Sequence, residues 1–170
     1  MGMILRLASF IMLTFMLAMV PAARAALLPL CTPDQLSLGF DSENGNFNGM
    51  SHSGTLLVLR NLGPKPCRMP SFPMLGFLDE NGKKLNISAR HEGTAPPPRL
   101  AVGAEATAVL RWISSPVFTN GICLKTAGLS VSWPGGTVMQ ALTISICGPG
   151  GGPASVTQAP LATDPVLPHG

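Results

Sequence analysis

All four cysteines of this chain, Cys31, Cys67, Cys123 and Cys147, stand downstream of an N-terminal segment with the features of an export leader. That segment, MGMILRLASFIMLTFMLAMVPAARA, carries one early positive charge at Arg6. An apolar run follows from Leu7 to Val20, interrupted only by Ser9 and Thr14, and then come Pro21 and the small-residue exit Ala23-Arg24-Ala25. A short basic region, an apolar core, a helix-breaking proline and small exit residues are the parts of a cleaved signal peptide. The apolar run spans about 14 residues, short of the roughly 20 that a helix needs to cross the hydrocarbon of a bilayer. Lipid attachment at Cys31 would need a small residue before it, and Leu30 is bulky. The reading is therefore a signal peptide over residues 1–25 and a periplasmic or secreted destination. In such an oxidising compartment an even cysteine count means disulfides.

Four cysteines allow three pairings, and the local pattern favours one. Leu129, Val131 and Trp133 alternate with Ser130 and Ser132, a turn follows at Pro134-Gly135-Gly136, and Val138 to Ile146 extends onward. Cys123 and Cys147 each lie 12 residues from Gly135, so they meet at the open end of this hairpin, and Cys31 pairs with Cys67 by elimination. Bridges that close loops of 24 and 36 residues stabilise by roughly 2–4 kcal/mol each, mostly by restricting the unfolded chain. No two cysteines are separated by only two to four residues, which excludes a zinc knuckle and a redox pair.

Composition changes once the leader is set aside. Arg6 and Arg24 leave with it, so nine Lys/Arg remain against eight Asp/Glu and the formal charge is +1 in place of +3. That is no footprint for nucleic acid, and nothing downstream suggests stable membrane insertion after cleavage.

The rest of the chain reads as short strands. Leu36 to Phe40 alternates and stops at the polar run Asp41 to Asn46. Gly54 to Asn61 is the clearest strand, ended by Leu62-Gly63-Pro64. Met74 to Leu78 turns at Asp79-Glu80-Asn81-Gly82 toward Ile87. Ala104 to Trp112 follows, with Ala106, Ala108, Leu110 and Trp112 on one face and Val109 and Arg111 on the other. Short strands with frequent turn signals and almost no helical period predict an all-β domain, a small antiparallel β-sandwich over residues 26–153. It is immunoglobulin-like at most, since Trp112 stands only 11 residues before Cys123. Beyond Gly148-Pro149-Gly150-Gly151-Gly152-Pro153, residues 154–170 read as a flexible tail.

Several of these stretches fall in a familiar order. Cys31 opens the domain, Arg60-Asn61-Leu62-Gly63 leads to Pro66-Cys67-Arg68-Met69-Pro70, and Phe72-Pro73 and Asp79-Glu80-Asn81-Gly82 follow. Leu100 to Ala106 precedes the strand ending in Trp112, and Gly121-Ile122-Cys123 leads on to Cys147-Gly148. The order resembles a bacterial secreted family known as domain of unknown function 4232, over nearly all of Cys31 to about Pro153. The resemblance implies an exported or lipid-anchored protein, and it transfers no catalytic residue.

No catalytic motif stands out, and no cofactor is implied. A triad would have to assemble from His52, His91 or His169 with Asp34, Asp41, Asp79 or Asp164, and no serine occupies a nucleophile-elbow pattern. The more specific alternative is periplasmic copper handling. Met50 and His52 place a thioether and an imidazole two residues apart, and His91 with Met69 and Met74 could add ligands, although Met74 reads better as core. Trp133 beside the Pro134-Gly135 turn is a candidate surface contact, and Thr94 to Pro98 (TAPPP) a candidate proline-rich surface. The expectation is a non-enzymatic binding or envelope-structural module whose partner is an envelope protein or a glycan. The alternatives are copper handling and a hydrolase without a recognisable motif.

Overall fold

The structure, a computed structural model, describes residues 27–163. The signal-peptide expectation for residues 1–25 lies outside them. Its strands are β1 (Leu36–Asp41), β2 (His52–Asn61), β3 (Cys67–Arg68), β4 (Met74–Leu78), β5 (Ile87–His91), β6 (Arg99–Leu100) and β7 (Glu105–Ile113). They continue with β8 (Ile122–Lys125), β9 (Gly128–Trp133), β10 (Gly136–Ala141), β11 (Ser145–Gly148), β12 (Ala154–Gln158) and β13 (Ala162–Thr163). Among the described residues the helical content is two short 3-10 turns, Pro33–Gln35 and Glu43–Gly45. Among the described residues no helix is long and apolar enough to cross a membrane.

The largest sheet runs β1-β2-β7-β12-β5, with β13 also paired to β7. A second runs β10-β9-β4, and two ladders, β11-β8 and β3-β6, complete the set. The period-2 pattern decides which side of each strand is buried. In β7, Ala106, Ala108, Leu110 and Trp112 are buried while Glu105, Thr107, Val109 and Arg111 face away. In β2, Leu57 and Leu59 are buried, and Leu56, Val58 and Arg60 lie opposite Val109, Thr107 and Glu105 on the outer side. From the second sheet come Leu75, Phe77, Leu129, Val131 and Trp133, which join the buried side chains of the large sheet in one core cluster. Burying a side chain such as Leu57 or Phe77 stabilises by about 1.5–3 kcal/mol.

Both predicted disulfides are formed, Cys31–Cys67 and Cys123–Cys147. The second joins residues directly opposite each other in the β8-β11 ladder, which is not a plain continuation of the β9-β10 hairpin. Between the pairs Gly128↔Ala141 and Lys125↔Ser145, one side holds Thr126 and Ala127 while the other holds Leu142, Thr143 and Ile144. That extra residue is a bulge, which shifts the register by one. Thr126, buried, fills it: its hydroxyl donates to the Leu142 carbonyl oxygen and accepts from the Ile144 amide at 3.2 Å.

At the other end, Asn61 is fully buried. Its Nδ2 donates to the carbonyl oxygens of Lys65 (2.9 Å), Leu100 (3.2 Å) and Ala101 (3.2 Å), and its Oδ1 accepts from the Gly63 amide at 3.0 Å. One buried side chain thus ties two loops together through their main-chain groups.

Two expectations are corrected. Residues 154–170 are not a tail from their start, because β12 lies between β7 and β5 in the large sheet. Ala154, Val156 and Gln158 are buried, and β13 adds a further pairing to β7. The Gly/Pro run that reads as a domain end is a loop leading into a central strand, and the domain therefore extends past residue 153. Nor is the arrangement wholly antiparallel. β12 pairs parallel with β5, Ala154 opposite Ile87, which is feasible because the long stretch of chain between them accommodates the crossover a parallel pair requires. The fold is all-β with two disulfides, built from several mixed ladders rather than two closed antiparallel sheets.

Candidate functional site

The outer side of the large sheet carries polar chemistry at its centre. Strand registers place Gly54 opposite Arg111, Arg111 opposite Thr157, and Thr157 opposite Arg90. The two arginines therefore flank one threonine in a row that crosses three strands, with backbones two strand spacings apart, roughly 10 Å. The adjacent row holds His52 opposite Ile113 and Ser155 opposite Ser88. Arg90 and Arg111 line one cleft of about 230 Å³ together with His52, Ile113, Ser155 and Thr157. A neighbouring cleft of about 360 Å³, lined by Glu92, Val109, Arg111, Thr157 and Ala159, shares Arg111 and Thr157 with it.

Phe47 lies in the loop between β1 and β2. It packs on Gly54, where an added Cβ would stand 2.9 Å from the Phe47 Cβ, so the glycine makes room for the ring. The Arg111 guanidinium carbon stands 5.6 Å from the centroid of that ring, a cation–π contact worth about 0.5–1 kcal/mol at an exposed site. It orients the Arg111 side chain on the outer side of the sheet.

Charge is balanced differently elsewhere on this side of the sheet. Arg60 pairs with Glu105, its partner in register, at 2.6 Å between Nη2 and Oε1. Among the described residues that is the single ion pair, and neither Arg90 nor Arg111 has a carboxylate within salt-bridge distance. Glu92 is the acidic group among the lining residues of the two clefts. Two like charges on strands two spacings apart repel weakly in water, small enough for the fold to carry and of the sign that a bound anion reverses.

The metal candidates are not brought together. Met50 is fully exposed, and His52 and His91 are both exposed. His52 lies on β2 and His91 at the end of β5, three strand spacings apart in the order β2-β7-β12-β5 and three residues apart in register, which puts their backbones more than about 14 Å from each other. His91 stacks on Phe72 at 4.3 Å between centroids. Met69 is buried in the core, whereas Met74, expected there, is 72% exposed at the start of β4. Its position alternates with buried Leu75, so the two-residue period of a strand sends it outward. No group of three His, Cys, Asp or Glu among the described residues could hold a metal ion.

A triad fares no better. His169 and Asp164 lie outside the described residues. Asp41 accepts from the Glu43 amide, and Asp79 accepts from the amides of Asn81 and Lys83, so both carboxylates are occupied in turns. Trp133 is not a surface contact: its ring is buried and its indole nitrogen donates to the Cys31 carbonyl oxygen at 2.7 Å. The proline-rich stretch is pinned to the body, since Ser71 donates to the Ala95 carbonyl and the Met69 amide to that of Pro98.

Arg90 and Arg111 are the residues that sequence reasoning passed over as a pair. Arg111 shows as an outward residue in an alternating strand, but its neighbour Arg90 arrives through the parallel β5-β12 pairing, which no local pattern announces. Comparison with curated proteins and with solved structures finds no match. The family model described as domain of unknown function (DUF4232) matches residues 31–166, from the first cysteine to beyond β13, and the chain belongs to that family.

Proposed function

We propose that this protein is an exported, non-enzymatic binding module, sandwich-like in build. The outer side of its β1-β2-β7-β12-β5 sheet meets a partner in the cell envelope. The observation that carries this reading is the Arg111-Thr157-Arg90 row, which is exposed cationic chemistry with no carboxylate opposite it. Exposed, oriented polar groups on a rigid scaffold support recognition. Against catalysis, the two described histidines have no hydrogen-bonded carboxylate, and Ser155, which lines the cleft with His52, makes no hydrogen bond to it. Export is supported by the leader grammar and by two disulfides that persist only in an oxidising compartment.

The test is site-specific photo-crosslinking in intact cells, with the reactive residue at Thr107 on the proposed side and at Thr137 on the opposite sheet. The reading expects adducts from Thr107 and none from Thr137. Equal labelling from both positions, or none from Thr107, would remove it.

A further inference from the structure

Building on that binding-module reading, we infer that the Arg111-Thr157-Arg90 row binds the oxyanion group, carboxylate or phosphate, of an anionic glycan. Three observations converge on that class. The two guanidinium groups flank a hydroxyl across one row and line a common cleft. A planar five-donor fork on each side suits a carboxylate or phosphate oxygen pair better than any neutral group.

The remaining walls are Ser155, in the row next to Thr157, with His52, Trp112 and Ile113, which sets hydroxyls beside an imidazole and an aromatic edge. Small hydroxyls that both donate and accept suit the hydroxyl array of a sugar ring. Peptide recognition is disfavoured by position. β7 and β12 are interior strands with neighbours on both sides, so an extended peptide cannot add to the sheet beside Arg111 or Thr157, and one added at the end strand β5 would reach Arg90 alone. Nor does the cleft offer an apolar pocket for a side-chain anchor, since His52, Arg90, Arg111, Ser155 and Thr157 make up most of its lining.

The contrast with Arg60 sharpens the assignment. On the same side of the same sheet, Arg60 is neutralised by Glu105 directly opposite. At the equivalent register position Arg111 faces Gly54, and Phe47 occupies the space above that glycine. The aromatic ring orients the cation without cancelling its charge, which leaves it available to a ligand.

The experiment is a titration of the isotope-labelled mature protein followed by amide NMR, with trigalacturonate, glucose 6-phosphate and neutral maltotriose as separate probes. Saturable shifts at Arg90, Arg111 and Thr157 with trigalacturonate support a carboxylate-bearing glycan, and the same shifts with glucose 6-phosphate alone support a phosphate-bearing one. Arg111→Ala and Arg90→Ala each weaken that binding about tenfold or more, the usual effect of losing a charged hydrogen-bond donor. Arg60→Ala leaves it unchanged. Arg111→Lys restores only part of it, because the bidentate fork is gone, and added salt weakens it. Equal shifts with maltotriose, no shifts with either anion at millimolar concentration, or anion binding insensitive to both alanine variants would each overturn the assignment. If the anions fail while Thr107 still crosslinks, the ligand class falls and the binding-module reading stands. If the Thr107 crosslinks are missing too, both fall.

Discussion

The indole nitrogen of Trp133 donates to the carbonyl oxygen of Cys31 at 2.7 Å, tying the tip of the β9-β10 hairpin to the Cys31–Cys67 bridge. The residues are 102 apart in sequence, so this one bond joins the beginning of the domain to its last third. Gly135 sits in the same corner, where a Cβ would collide with the Cys31 carbonyl oxygen and the Trp133 ring.

Trp133→Phe keeps a buried aromatic ring and removes the donor, leaving a buried carbonyl unpaired. The expected loss is about 2 kcal/mol of unfolding free energy, read by denaturant titration. Gly135→Ala destabilises through the same corner, and because the two variants disrupt one contact their effects add to less than their sum.

Asn61 and Gln158 are both fully buried amides on interior faces, yet they predict opposite outcomes. Asn61→Leu removes all four bonds of that buried side chain, while the Ala101 carbonyl keeps the Ala104 amide, and costs roughly 3 kcal/mol. Gln158 donates once, to Pro73 at 3.1 Å, and its Oε1 has no partner. Gln158→Leu removes that unpaired acceptor as it gives up the single bond, and its effect stays within about 1 kcal/mol. Parallel thermal and chemical denaturation of the two variants checks the contrast.

The two bridges differ in access. Cys31 and Cys67 are both fully buried, whereas Cys123 is exposed. Under mild reduction of the folded protein, attack at an accessible sulfur comes first. Cys123 and Cys147 are therefore alkylated before Cys31 and Cys67, as mass mapping over a reduction time course will show. Replacing Cys31 and Cys67 with serine costs roughly 3–4 kcal/mol on the loop-closure account, with the longer loop of 36 residues carrying the larger share.

Local patterns in the sequence were enough for some of this architecture. The β9-β10 hairpin and the bridge beyond it follow from alternation around Gly135, because both are made by residues near each other in the chain. The outward side of β7 is equally plain from Ala106 to Trp112. β12 was hidden, since Ala154 to Gln158 is short, built of small residues, and follows a Gly/Pro run that usually marks an end. What makes it a strand is pairing with β5 and β7 across long sequence separations, and the Arg90-Thr157-Arg111 row was hidden for the same reason. Trp133 misled because a tryptophan beside a turn can point either way, and the carbonyl that claims its indole belongs to a residue at the other end of the domain.

Placing β12 between β7 and β5 has a direct consequence. A chain ending at Pro153 lacks a central strand, exposes Leu110 and Trp112, and leaves the edges of β5 and β7 unpaired. It is expected to lose cooperative unfolding and to aggregate, which circular dichroism melts and size-exclusion chromatography of the truncated protein will register.

Export into an oxidising compartment underlies the whole account, and the most direct measurement is peptide mapping of protein recovered from the periplasmic fraction without reductant. The account predicts an N-terminus at Ala26 and cross-linked peptides joining Cys31 to Cys67 and Cys123 to Cys147. A protein that keeps Met1 to Ala25 and whose four thiols are alkylated without prior reduction would contradict it.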